Sequence, residues 1–213
     1  MKEILQFEHT VDGLYGHYLD SLAGFRHLNE KGKKDKLNLG HLLCGEDANV
    51  DEVTKAGAQC MYSYTDGTPG DPDFIEIHTC SYDAYIARNA ELGMNQWFAG
   101  TIFVVNVFAF WQEFHRARIT SLLGKQDNEL EAPIMGDLRW YRQSILHRNG
   151  KAVAGVKKCE ILKWYAEDEV IFLDQDKIAH IMHHLKILIR DLKRQHKQRT
   201  SNVSLNADAR QDQ

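Results

Sequence analysis

The run from Trp97 to Trp111, WFAGTIFVVNVFAFW, limits the folds open to this chain more than any other stretch. Wound as a helix it is apolar on nearly every side, so it has to be covered on several faces at once. Its 15 residues, with Asn106 among them, fall short of the roughly 18–20 that a bilayer span requires. A buried central helix is therefore expected, with other helices around it.

Residues 3 to 30 supply a first partner. Ile4, Phe7, Val11, Leu14, Tyr18, Leu22 and Phe25 recur at three- and four-residue steps. Gly13, Gly16 and Gly24 either weaken that helix or permit a close crossing. The charged run EKGKKDK (30–36) reads as a solvated break. Ser81 and Asp83 mark another helix start, leading to one long helix ending near Leu123 or to two joined near Gly93 or Gly100. Asp174 or Asp176 opens a last helix to about Arg199. Beyond it TSNVSLNADARQDQ has little apolar content, so 200–213 is expected to be a disordered tail.

Helical periodicity fades from Leu37 to Cys80. Ala58–Tyr64 and Phe74–Cys80 read as two short strands around the turn-rich TDGTPGDPD, a hairpin inserted at about 37–80. CEILKWY and EVIFL look like a second short strand pair around Ala166–Asp168. The expected fold is all-α: one domain over 1–199, a bundle of four to five helices with short β-hairpin insertions.

His41, Cys44, Cys60, His78 and Cys80 are of the types that ligate zinc. Their spacings match no standard knuckle, and His78 with Cys80 share a strand face for packing reasons alone. His180, His183 and His184 lie at i, i+3 and i+4 without the Glu of an H-E-x-x-H motif. No metal and no cofactor is expected. The four cysteines include no C-x2-C pair, and MKEILQFEHTVDG has acids early and no long apolar run. Free thiols in a cytoplasmic protein are the expectation.

Pro133 to Gly150, PIMGDLRWYRQSILHRNG, reads as a helix with both ends marked. Pro133 suits the first turn, and Asn149-Gly150 suits an exit that needs positive φ. Ile134, Met135, Leu138, Tyr141, Ile145 and Leu146 can pack on a core, while Arg139, Arg142, Gln143, His147 and Arg148 crowd the other face. A rigid element carrying clustered cations suits phosphate chemistry.

Arg142 and His147 form an R-x4-H pair followed at once by Asn149-Gly150. The stretch resembles the motif of the HEPN superfamily, R-x4-6-H, often written R-N-x3-4-H-x-N-G; Gln143 stands where the family more often has Asn, Asp or His. The resemblance implies a HEPN-like helical bundle acting as a metal-independent endoribonuclease, a toxin or antiviral effector. It implies a homodimer through this helix, RNA as substrate, a regulatory partner such as an antitoxin, and no membrane. Arg142 and His147 would be catalytic, with Arg139, Gln143, Arg148 and Asn149 binding substrate. The alternative is a HEPN fold kept as a non-catalytic dimerisation, RNA-binding or nucleotide-binding module.

The residue chemistry is compatible with that expectation. RNA carries its own nucleophile, the 2′-OH, and needs only a proton shuttle and charge stabilisation. His titrates nearest neutrality, and Arg holds two phosphate oxygens in a fork. Five residues separate the pair, about 140° around a helix, so they meet at one phosphate only through the reach of Arg142 or through a second copy. The net charge of −4 excludes a generic nucleic-acid coat protein. Between 177 and 199 seven Lys/Arg stand against one acid, Asp191, a candidate RNA surface or a solvated helix face.

Overall fold

The computed structural model describes residues 1–45 and 47–211. It is 70% helix and 8% strand, with six helices and one two-stranded antiparallel sheet, so the mainly α character expected of the sequence is present. In order the elements are α1 (Lys2–Cys44), α2 (Val50–Gln59), β1 (Met61–Asp66), β2 (Ile75–Ser81), α3 (Tyr82–Asn89), α4 (Met94–Phe110), a π-turn (Trp111–His115), α5 (Arg116–Leu123), α6 (Pro133–His147) and α7 (Gln175–Gln211). Helices α4 and α5, with the π-turn between them, count as one. Contacts gather the chain into two compact units, Met1–Leu19 with Ala99–Gln213, and Asp20–Phe98.

Within Asp20–Phe98 the expected break at 30–36 is absent, because α1 continues to Cys44. Pairs at helical spacing, Lys31–Asp35 (2.5 Å) and Glu30–Lys33 (2.7 Å), turn those charges into helix contacts. Gly32 and Gly40 mark close crossings: an added Cβ would stand 2.8 Å from the Tyr85 ring and 2.2 Å from the Val53 carbonyl. Gly13, Gly16 and Gly24, the candidates from sequence, face open space. The region 37–80 is not a hairpin alone, since it also holds the end of α1 and the whole of α2. Asn49 and Glu52 close a capping box on α2, each side chain accepting the other's backbone N–H. The hairpin pairs Met61 with Ser81 through Asp66 with Ile75, with a bulge after Tyr64. Ser81 then caps α3, its Oγ accepting from the Ala84 N–H at 3.1 Å.

The other unit buries Ile4, Phe7, Val11 and Tyr18 of α1 with Phe103, Val104, Val107 and Trp111 of the apolar run. From α7 come Ile178, Ile181, Leu185, Ile189 and Leu192, each at most 1% exposed. Gly100 lets α4 approach the 173 backbone, where a Cβ would stand 2.7 Å from the Leu173 carbonyl oxygen. Among the described residues no single helix is long and apolar enough to cross a membrane, although α3 and the α4–α5 helix pass that test together by length and composition.

Two expectations fail in this unit. The second strand pair does not form; 154–158 is a 3-10 turn, and one isolated bridge joins Lys151 to Val170. Its backbone finds other partners. The Tyr141 hydroxyl donates to the Leu162 carbonyl at 2.9 Å, and the Phe172 N–H donates to the Tyr165 hydroxyl at 3.0 Å. The tail expected beyond Arg199 instead continues α7 to Gln211, with 212–213 outside the described residues. Extending a helix needs no new nucleus, and the Thr200 and Ser201 hydroxyls bond back to the His196 and Lys197 carbonyls.

Candidate functional site

Helix α6 has the ends that its sequence marks. Pro133 occupies its first turn, and Asn149 and Gly150 leave it at φ +49° and +80°. The Arg148 and Gly150 N–H groups both donate to the Ser144 carbonyl, at 3.1 Å each. Ile134, Met135, Leu138 and Tyr141 are buried as expected. Leu146 is not: it is half exposed, and the buried face is completed by Asp137 and Ser144. Both polar groups are satisfied. Asp137 accepts the N–H groups of Glu160, Ile161 and Leu162 at 2.9, 2.8 and 2.7 Å, pinning the 160–162 loop to the helix. Ser144 Oγ donates to the Trp140 carbonyl and accepts from the Val153 N–H.

The outward face of α6 opens on a cavity of about 520 Å³ between this helix and the end of α4. Arg139 and Arg142 reach it from α6, and Arg116 reaches it from the first residue of α5. Arg142 is half-buried, its guanidinium 5.6 Å from the centre of the Phe108 ring. Arg116 donates to the Gln112 carboxamide oxygen at 3.4 Å, and both line the cavity. Leu130, Met135 and Phe108 make its apolar wall, and no acidic residue lines it among the described residues. The π-turn at Trp111–His115 forms part of the same wall; its wide turn is a feature often found at functional sites.

Three arginines line this cavity, which suits it to a negatively charged ligand. The expected site residues divide there. Arg142 and Arg139 are brought together. His147, Gln143, Arg148 and Asn149 are exposed and do not line the cavity. Arg148 meets Asp168 at 2.6 Å. His147 stands in the last turn of α6, about 140° around the axis and roughly 7.5 Å along it from Arg142 by ideal geometry.

Arg116 reads in sequence either as a residue lining a groove or as a helix-end cation, and Phe108 and Gln112 carry no signal at all. Gly136 does carry one. A glycine inside an otherwise well-formed helix, three residues before Arg139 and six before Arg142, marks where the helix surface is left open; a Cβ there meets nothing within 4 Å.

The candidate zinc ligands have other roles. His78 Nε2 lies 2.6 Å from Arg88 Nη1, and the Cys44 and Cys60 thiols donate to the Glu52 and Ala56 carbonyls. The rings of His180, His183 and His184 pack together beside Trp164. Among the described residues no group of three His, Cys, Asp or Glu side chains is placed to hold a metal.

Comparison with protein-family models, curated proteins and solved structures finds no significant match to this chain.

Proposed function

We propose that this protein binds RNA through its phosphates and cleaves it without a metal, as an endoribonuclease of the HEPN type that its α6 motif resembles. The supporting observation is the placement of Arg142: half-buried on Phe108, it opens on a cavity with Arg116 and Arg139 and meets no carboxylate there. A guanidinium held in that way is positioned before the substrate arrives, which is what stabilising a phosphorane requires. Attack by a 2′-OH on the adjacent phosphorus forms a cyclic phosphate and expels the 5′-oxygen, which takes up a proton. His147 is the residue assigned to move protons, an imidazole being the side chain most often used for general acid–base work.

Arg142 and His147 diverge around α6, so the productive arrangement is a pair of chains facing across this helix. The Arg142 of each copy then works with the His147 of the other, and the half-exposed Leu146 is covered between them. The second reading is a nucleotide- or RNA-binding module without catalysis, favoured by the exclusion of His147 from the cavity.

The experiment is cleavage of total RNA by purified protein in EDTA, wild type beside Arg142→Ala and His147→Ala. Loss of cleavage in both variants, each still folded, supports the nuclease. RNA binding with no cleavage by any of the three supports the module. Cleavage unchanged by both substitutions removes α6 from the chemistry.

A further inference from the structure

The hairpin of the Asp20–Phe98 unit is set apart by its charge. From Ala56 to Ala87 the chain has five acids, Asp66, Asp71, Asp73, Glu76 and Asp83, and neither lysine nor arginine. Asp83 is paired with Lys36 at 2.5 Å. The other four gather toward the turn, all exposed and none in an ion pair among the described residues. The same hairpin leaves apolar side chains uncovered. Met61, Tyr64, Ile75 and Ile77 are each more than half exposed, while Tyr62 is already taken up, stacked on Tyr85 of α3 at 4.4 Å.

The sheet has two strands, so each keeps an edge with no strand beside it among the described residues. Open edges are ordinarily blunted by lysine, by proline or by very short strands. β1 and β2 run for six and seven residues and contain neither residue, although a bulge follows Tyr64. A hairpin of two strands is also marginal by itself and gains from a third.

We infer that this hairpin docks an extended, cationic segment of a partner protein, which joins the sheet as a third strand along β2. Main-chain hydrogen bonds at the open edge hold the segment, and its side chains decide which segment is held. Apolar side chains of the partner cover Ile75 and Ile77. Its lysines or arginines meet Glu76, Asp73 and Asp71. Two occupants from this chain fit less well. A second copy of the hairpin brings the same four acids, and like charges facing each other oppose pairing. The basic stretch at 177–199 is wound into α7, where its backbone is already hydrogen-bonded. The inference does not rest on the RNA reading above, since a phosphate would meet only like charge at the hairpin.

The test titrates the full chain with a labelled peptide of about seven residues, a typical strand length, alternating valine with lysine. Beside it run the same peptide with glutamate for lysine, and the lysine peptide N-methylated along one edge. The lysine peptide is expected to bind about tenfold or more tighter than the glutamate peptide, the scale of several exposed ion pairs. N-methylation should abolish binding, because it removes donors and leaves the charge. Asp71→Asn/Asp73→Asn/Glu76→Gln should weaken binding about tenfold, and Ile77→Lys should weaken it also, both with unchanged melting temperatures. Equal binding of the N-methylated peptide overturns the strand pairing, and equal binding of the glutamate peptide overturns the charge argument. No binding of the lysine peptide at about millimolar concentration overturns the site. Sedimentation of the chain alone gives a further check: a dimer that Ile77→Lys dissociates would make a second copy the occupant and overturn the proposal.

Discussion

Arg142 lies over Phe108, its guanidinium carbon 5.6 Å from the ring centre, and no acidic residue shares its cavity among the described residues. The ring holds the cation in place without neutralising it, whereas a carboxylate would do both. Removing this arginine should therefore cost the fold little and the chemistry much. Arg142→Ala is expected to change unfolding free energy by less than about 1 kcal/mol. Cleavage should fall by about 10²–10³-fold, the scale of one lost transition-state donor. Arg142→Lys keeps the charge and loses the fork, so it should recover only a small part of the rate. Chemical denaturation beside single-turnover cleavage in EDTA measures both quantities, and a variant that unfolds before it loses activity would contradict the assignment.

Asp137 is the fixed point behind the site. Its carboxylate accepts three backbone N–H groups of the 160–162 loop and is 2% exposed. Asp137→Ala strands all three donors, and at about 1–3 kcal/mol for each unsatisfied group the variant should lose at least about 3 kcal/mol of stability. Asp137→Asn retains one acceptor oxygen and should fall between. Urea unfolding decides it.

The same carboxylate acts on a thiol. Burial first, then the charge of Asp137, pushes the Cys159 thiol up to about 12. With the thiolate as the reactive form, Cys159 should stay unlabelled by iodoacetamide at pH 8 while the exposed Cys44 reacts. Asp137→Ala should bring Cys159 into reaction. Mass spectrometry of the labelled peptides reads both sites, and rapid labelling of Cys159 in the folded wild type would show that the 159–162 loop opens freely.

What could be seen beforehand in the sequence divides along the range of the forces involved. The ends of α6 were legible because caps are local: Pro133, Asn149 and Gly150 each carry a backbone requirement in their own side chain. Arg142 was legible only as one of the cations on the polar face of α6. The position of Arg116 beside it was not, because that juxtaposition depends on how α4 and α6 pack. The charged run at 30–36 reads as a break for a similar reason. Its lysines look solvated one by one, yet Lys36 pairs with Asp83 at 2.5 Å, 47 residues away. The apparent strands at 159–173 show the converse. Their alternating apolar residues suit a pleated surface, but Asp137, Tyr141 and Tyr165 take up backbone groups that a ladder would have used. Pattern records burial well and records the partner poorly.

Two glycines near the site should respond in opposite directions. Gly136 lies inside α6 facing open space, so Gly136→Ala should gain about 0.5–1 kcal/mol from reduced backbone freedom. Gly155 faces Trp140, where a Cβ would stand 2.1 Å from the indole. The ring would have to shift to admit it, so Gly155→Ala should lose about 1–3 kcal/mol through overpacking. Melting temperatures of the two variants should move apart from the wild type, and a neutral Gly155→Ala would show that Trp140 is free to turn.

His115 gives the fold a dependence on pH. Thr10 Oγ1 donates to the Gln6 carbonyl at 3.0 Å, so it accepts from His115 Nε2 at 3.2 Å. That assigns the proton to Nε2 and leaves Nδ1 buried with no partner. A second proton would place an unpartnered charge at Nδ1. Burial first, and then the charge of Arg118, lower the pKa of His115 below its usual value, with Glu3 opposing. The unfolded chain therefore takes up a proton near pH 6.5 while the folded chain does so only at lower pH. In that window the unfolded state binds more protons, so stability falls as pH drops through about 6.5 toward the folded pKa, and is level above about 7. His184 is lowered also, by burial and by His180 and His183, so it contributes a slope of the same sign. In His115→Phe the decline in melting temperature from pH 7 to pH 5 should be shallower than in the wild type, and shallower again when His184→Phe is added. Equal declines in wild type and His115→Phe would mean that His115 takes its proton without opening the α1–π-turn contact.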